Sequence, residues 1–238
     1  MKIKAIQQAL LPSSVPEVEG YEMAAYSKPA RRFSGDYYDF IRVDKAHWGI
    51  VVADVSGKGI PASLVMATCR ALMRTEAKGV ISAAEVLRRV NRKLHADICE
   101  DMFITMIYMI LNPVGNTLTC ARAGHDAPFL LRNSAVRSLS EGESGMALGI
   151  DSGGVFDKVV QDLFVPLEKG DIILAYTDGA SEAADFQERE FGRERIKSAM
   201  KNANGVQGVI KSVTKEIAHF VGKTVPMDDI TLVALKKH

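Results

Sequence analysis

Five aspartates stand where apolar runs begin or end, and their placement is the chain's main chemical signal. Asp36 precedes "YYDFIRV" (37–43), Asp54 closes "WGIVVAD" (48–54) and Asp178 closes "DIILAYTD" (171–178), while Asp228 and Asp229 precede "ITLVALK" (230–236). A carboxylate at the end of a buried run is costly unless something neutralises it. Taken singly, each reads as an Asx-type turn, with Gly57 and Gly59 freeing the backbone after Asp54. Taken together they converge. If 37–43 and 48–54 form a hairpin about Lys45 and Ala46, Asp36 lies opposite Asp54 at one sheet edge. If 171–178 and 230–236 are antiparallel neighbours, Asp178, Asp228 and Asp229 share an edge too. Crowded carboxylates repel one another. The segments "GDYYD", "VADVSG", "AYTDG" and "PMDD" hold no Lys or Arg to balance them. Divalent metal is the remaining neutraliser, and oxygen-only ligands favour magnesium, manganese or calcium over zinc. Two adjacent hard cations polarise a phosphoryl group and generate a hydroxide nucleophile, which is phosphoester-hydrolysing chemistry.

Other motifs carry less. "VSGKGI" lacks the upstream Gly and the Ser or Thr of a P-loop. No DxDxDG loop is present, and no GxSxG elbow supplies a serine nucleophile for His125 and Asp126 of "AGHDAP" (123–128). His125 therefore reads as a turn or supporting residue. The basic stretches "ARR" (30–32) and "LRRVNRK" (87–93) read as solvated faces without the clustered aromatics of a nucleic-acid site.

The elements that must position the aspartates follow from periodicity. A short amphipathic helix over 3–11 is stopped by Pro12, and strands are expected at 21–27, 37–43 and 48–54. One helix starts near Pro61 and runs to about Lys78 before Gly79; a second opens with the capping box Ser82-Ala-Ala-Glu85. Strands resume at 103–111, 116–123, 127–132, 135–139, 158–165 and 171–178, helices at 190–203 and 206–221, and a strand ends the sequence at 230–236. Tight turns between strands and paired helices point to antiparallel sheets with helices outside, an α+β sandwich in one domain.

With 47% hydrophobic and 25% charged residues, the 238-residue chain can build a sizeable core. Its net charge of +1 gives no field to recruit nucleic acid or an acidic membrane. Cys69, Cys99 and Cys120 are far apart, no apolar run reaches membrane-spanning length, and the start lacks a signal peptide's apolar core. A cytoplasmic location is expected.

The order "SGDYYD … VVADVSGKGIPASLVM … FITMIYMILNP … ARAGHDAPFLLR … GMALGI … DIILAYTDGASEA … FGRERI … DDITLVAL" closely resembles the bacterial, sporulation-type branch of the metal-dependent serine/threonine phosphatases, the protein phosphatase 2C-like superfamily. The match runs over roughly residues 5–236. The resemblance implies a four-layer α-β-β-α sandwich, two stacked antiparallel sheets flanked by helix pairs, with residues 13–238 as the phosphatase domain and 1–12 as an N-terminal helix or linker. It implies two manganese or magnesium ions at one edge. Asp36 would bind one ion, Asp54 would bridge both, the Val55 carbonyl would complete the site, and Asp178 and Asp228 would hold the other, with Asp229 a further candidate. Gly35 and Gly179 would permit close backbone approach. A bridging water, as hydroxide, would attack a phosphoserine or phosphothreonine in line, without a phosphoenzyme. The implied substrate is a phosphorylated anti-sigma-factor antagonist or similar signalling protein. Helices 60–78 and 82–99 resemble the pair that switches such phosphatases, so an activator or dimer contact there would order Asp54 and Val55. Two departures stand out: Ser34-Gly35 replaces Gly-Gly, and "AGHDAP" replaces "AGHNPP".

Three rivals remain at this point. A catalytically silent binding module would keep the fold without the chemistry. An enzyme acting on nucleotides or small phosphoesters would want a base-stacking pocket, and only Trp48 and scattered Tyr and Phe are available. A purely structural domain explains each aspartate but not their convergence.

Overall fold

Strict two-residue alternation in the long strands determines the layers. The computed structural model of the chain describes residues 2–99, 101–140, 145–224 and 226–238. In chain order the elements are α1 (Lys2–Leu10), β1 (Tyr21–Lys28), β2 (Tyr37–Arg42), β3 (Trp48–Val55), α2 (Ile60–Glu76), α3 (Ala83–Asp97), β4 (Ile104–Asn112) and β5 (Thr117–Ala123). Then come β6 (Phe129–Arg132), β7 (Ala135–Ser138), α4 (Phe156–Val159), β8 (Leu163–Pro166), β9 (Ile172–Tyr176), α5 (Asp178–Ser181), α6 (Arg193–Lys201), α7 (Gly205–Val221) and β10 (Ile230–Lys237). The strands form two five-stranded antiparallel sheets, ordered β1-β10-β9-β6-β7 and β2-β3-β4-β5-β8.

Strand β4 is buried on both faces, so it reads as a continuous apolar run. Met106, Tyr108 and Ile110 pack under α2 and α3, whereas Ile107, Met109 and Leu111 face the other sheet. In the second sheet Leu174 and Tyr176 of β9 pack under α6 and α7, and Ile173 and Ala175 point between the sheets. Each fully buried side chain of this size contributes about 1.5–3 kcal/mol, and three such layers of contact hold four layers of structure together. The result is an α+β sandwich of the α-β-β-α type.

Local chemistry sets the helix ends. The Ser82 hydroxyl accepts from the Glu85 N–H at 3.1 Å, and Val86, Leu87, Val90 and Leu94 then share the buried face of α3. Helix α2 has Pro61 in its first turn and ends at Glu76, two residues before the expected Lys78.

Two expectations change. The stretch 158–165 is not one strand: α4 covers its start and β8 its end. One oxygen of the Asp151 carboxylate accepts from the N–H groups of Gly153, Val155 and Phe156, which winds the chain into a turn, and fully buried Phe156 anchors it. The strand expected to reach Asp178 stops at Tyr176, and Asp178 opens the short helix α5. Among the described residues no helix is long and apolar enough to cross a membrane.

Candidate metal centre

The hairpin of β2 and β3 pairs Tyr37 with Ala53, and continuing that register by one residue brings Asp36 beside Asp54. In the other sheet β9 and β10 pair Tyr176 with Leu232, so the residues beyond them, Asp178 and the 228–229 turn, reach the same end of the sandwich. A hydrogen bond crosses between the sheets here: the Thr177 hydroxyl donates to Asp36 Oδ2 at 2.8 Å while accepting from the Thr231 N–H at 2.9 Å. Asp36 is only 2% exposed.

Backbone packing brings the pieces close. A Cβ on Gly35 would stand 2.9 Å from the Val55 carbonyl oxygen and 3.1 Å from Asp54 Oδ1. A Cβ on Gly179 would stand 2.0 Å from the Asp229 carbonyl oxygen. Neither position has room for a side chain, so both glycines permit the approach of the acidic loops.

The carboxyl groups are mutually strained. Burial, followed by the Asp54 charge, raises Asp36 well above the ordinary carboxylate range. Asp54 is pushed up to about 7 by burial first, then by Asp178 and Asp228. Asp178 is raised by burial and by Asp228. Groups from both sheets therefore feel one another electrostatically. Among the described residues no three carboxylate, imidazole or thiol groups close into a ready-made metal cage. The fit to hard divalent cations rests on the oxygen-only donors and on a repulsion that such charge would relieve.

Two residues modify the picture drawn from sequence. Both oxygens of Asp229 are engaged: Oδ1 accepts from the Ala30 N–H at 2.7 Å and Oδ2 from the Gly35 N–H at 2.8 Å. This carboxylate clamps the 30–35 loop against the start of β10. A cation also reaches the edge after all. Lys58, immediately after "VADVSG", donates from Nζ to Asp228 Oδ2 at 2.9 Å and to the Met227 carbonyl at 2.7 Å. The sequence segments looked free of positive charge because Lys58 lies just outside them.

Sequence reasoning passed over Thr177 and Thr105. Thr177 lies inside "AYTDG", directly before Asp178, and a lone threonine there carries no ligand signal of its own. Thr105 pairs with Asp54 in the β3–β4 register and bonds His125. On either side of the edge the surface is concave. A groove of about 660 Å³ runs past Lys58, Gly179 and Asp228 toward Ile217 and Val221 of α7. A smaller one of about 310 Å³ adjoins Asp178, His125 and the ion pair between Arg193 and Asp126.

Known proteins share this fold. Residues 44–238 match the family model for Stage II sporulation protein E (SpoIIE). The chain is 32% identical over 235 residues to phosphoserine phosphatase RsbU of Bacillus subtilis, covering 98% of this chain and 68% of that protein. It spans about two fifths of the length of two other curated relatives. The SiaA-PP2C domain of Pseudomonas aeruginosa superposes with a TM-score of 0.82 at 21% identity, covering 99% of this chain and 94% of that one. RsbX in complex with magnesium superposes with a TM-score of 0.70 at 16% identity, covering 94% and 99%. With its family match and its fold in agreement, the chain belongs to the SpoIIE family of protein serine/threonine phosphatases.

Proposed function

We propose that this chain hydrolyses phosphoserine or phosphothreonine on a bacterial signalling protein, with Asp36, Asp54, the Val55 carbonyl, Asp178 and Asp228 holding two manganese or magnesium ions. The observation that carries the reading is the meeting of carboxylates from both sheets at one edge, where burial and then neighbouring carboxylate charge raise Asp36, Asp54 and Asp178. When bound, the ions would supply Lewis acidity toward the phosphoryl oxygens and an acidified water for in-line attack. Asp54 sits electrostatically between Asp36 and the Asp178–Asp228 pair, which suits it to bridge. Thr177 orients Asp36. Asp229 clamps the loop through two backbone N–H donors and, with lone pairs left on both oxygens, stands as a further candidate ligand.

The name of the relative RsbU supports phosphoserine as the reacting group. The resemblance supports a phosphorylated anti-sigma-factor antagonist as its carrier, and cytoplasm as the compartment, in keeping with three unpaired cysteines. An activator or second copy would dock on α2, α3 and their connection, where Ile60, Leu64 and Ile81 leave apolar surface exposed, and would order Asp54 and Val55. A metal-saturated monomer with full activity would remove that regulatory part. The domain itself is assigned to residues 13–238.

The test is hydrolysis of p-nitrophenyl phosphate with EDTA, magnesium or manganese, comparing wild type with Asp178→Asn. Manganese-dependent turnover that vanishes in the variant is expected. A wild type that neither turns over nor binds manganese would overturn the proposal.

A further inference from the structure

The motif "AGHDAP" contains the one buried imidazole at this edge among the described residues. His125 is 3% exposed and lies between β5 and β6. Its Nε2 stands 3.0 Å from the Tyr176 carbonyl oxygen and its Nδ1 stands 2.9 Å from the Thr105 hydroxyl. A carbonyl can only accept, so Nε2 carries the proton and donates. Nδ1 is then the acceptor, and the Thr105 hydroxyl donates to it. Burial holds the ring's pKa down to about 4, so both bonds persist at neutral pH.

The two partners matter because of what lies beside them. Thr105 is the β4 residue paired with Asp54. Tyr176 ends β9, two residues before Asp178. The strands belong to different sheets. One imidazole therefore bonds to both halves of the sandwich, directly behind the central carboxylate of one and the leading carboxylate of the other. The loop is shaped for this. Gly124 has φ +68 and forms a parallel bridge with Met106, and a Cβ there would lie 2.9 Å from the Ala147 nitrogen. Only glycine fits where the chain turns to present the ring.

We infer that His125 is a positioning residue that sets the separation of β4 and β9 at the active edge, so that Asp54 and Asp178 can hold the same metal centre. The inference rests on the phosphatase reading above. His125 touches neither carboxylate; it acts through Thr105 and Tyr176. Groups that orient metal ligands from behind contribute about 10- to 100-fold in metal affinity.

The experiment is manganese titration by calorimetry on the full chain, with melting temperatures measured in parallel. The variants are His125→Ala, His125→Gln and Thr105→Val, with Val213→Ala in α7 as a packing-loss control. His125→Ala should weaken manganese binding by about tenfold or more. His125→Gln keeps an N–H for Tyr176 and should recover part of that loss. Thr105→Val removes one bond without changing volume much and should weaken binding by about threefold, which tests the idea even if His125→Ala fails to fold. Val213→Ala should lower the melting temperature and leave affinity intact. Wild-type affinity, within about twofold, in folded His125→Ala or Thr105→Val would overturn the positioning role alone. Absence of manganese binding in wild type would overturn this role together with the phosphatase reading.

Discussion

The ammonium of Lys58 bonds Asp228 Oδ2 at 2.9 Å, so a side chain from the loop after β3 reaches a carboxylate in the turn that leads into β10 of the other sheet. The contact spans 170 positions of sequence. Both side chains remain 44% exposed, which places the pair in the range of about 0–1 kcal/mol. If Asp228 binds metal, Lys58 competes with it.

Replacing Lys58 should therefore strengthen metal binding at a modest, predictable level. Lys58→Met removes the competing charge and keeps most of the stem. Manganese affinity should rise by up to about fivefold, the equivalent of roughly 1 kcal/mol. Calorimetric titration of wild type and variant measures this directly. Weaker binding in Lys58→Met would mean that the lysine supports the metal-bound arrangement instead.

The raised carboxyl of Asp54 predicts an unusual pH profile for the metal-free protein. Its folded pKa of about 7 stands above the ordinary 3.8, so the folded state holds a proton that the unfolded state releases. Stability from this group is full below pH 3.8 and is lost as pH rises through 7. His125 works in the opposite sense: its folded pKa of about 4 against 6.5 costs stability as pH falls through that window. Comparing wild type with Asp54→Asn at each pH cancels the histidine contribution. In EDTA, Asp54→Asn should melt above wild type near pH 8 and lose that advantage toward pH 4. For a chain of this length each kcal/mol corresponds to about 2–4 °C. Manganese should then stabilise wild type and leave the variant unmoved. A pH-independent difference in melting temperature would show that Asp54 is not electrostatically stressed.

Much of this is legible in the amino-acid sequence alone. The continuous apolar runs in "IVVAD" and "MFITMIYMIL" imply buried strands, and the turn at Lys45 and Ala46 implies the register that brings Asp36 to Asp54. Local pattern is enough there, since adjacent strands in sequence pair in space. The clamp from Asp229 to Ala30 was not legible, because 199 positions separate partners whose neighbours show no shared pattern. Helices α4 and α5 were missed for a different reason. Four residues are too few for a helical period, and side-chain bonds such as those of Asp151 decide the turn.

A second long-range tie should govern stability. Asp39 is fully buried in β2, three residues beyond Asp36, and accepts from Arg74 of α2 at 2.6 and 2.7 Å and from the Tyr37 hydroxyl at 2.7 Å. Arg74→Met leaves the buried carboxylate without its counter-charge. Because the arginine is 44% exposed, the cost should fall to about 2–3 kcal/mol, below that of a fully buried pair. Adding Asp39→Asn should recover part of it. Urea unfolding of the two single variants and the double gives the coupling. A double variant whose losses simply add would refute the pairing.

Two glycines near the site make opposite predictions from the same substitution. At Gly57 a Cβ meets nothing within 4 Å, and the only penalty is φ +84, worth about 1–2 kcal/mol for an L residue. Gly57→Ala should melt lower yet bind manganese normally. At Gly179 a Cβ would stand 2.0 Å from the Asp229 carbonyl oxygen and 3.3 Å from the Asp228 Cβ. Backbone cannot step aside as a flexible side chain can, so the 228–229 turn must move. That shift would displace Asp228 and pull Asp229 from the N–H groups of Ala30 and Gly35. Gly179→Ala should therefore lose manganese binding and turnover together, whatever its melting temperature. Normal binding in a folded Gly179→Ala protein would mean that the contact between α5 and the 228–229 turn does not set the position of Asp228.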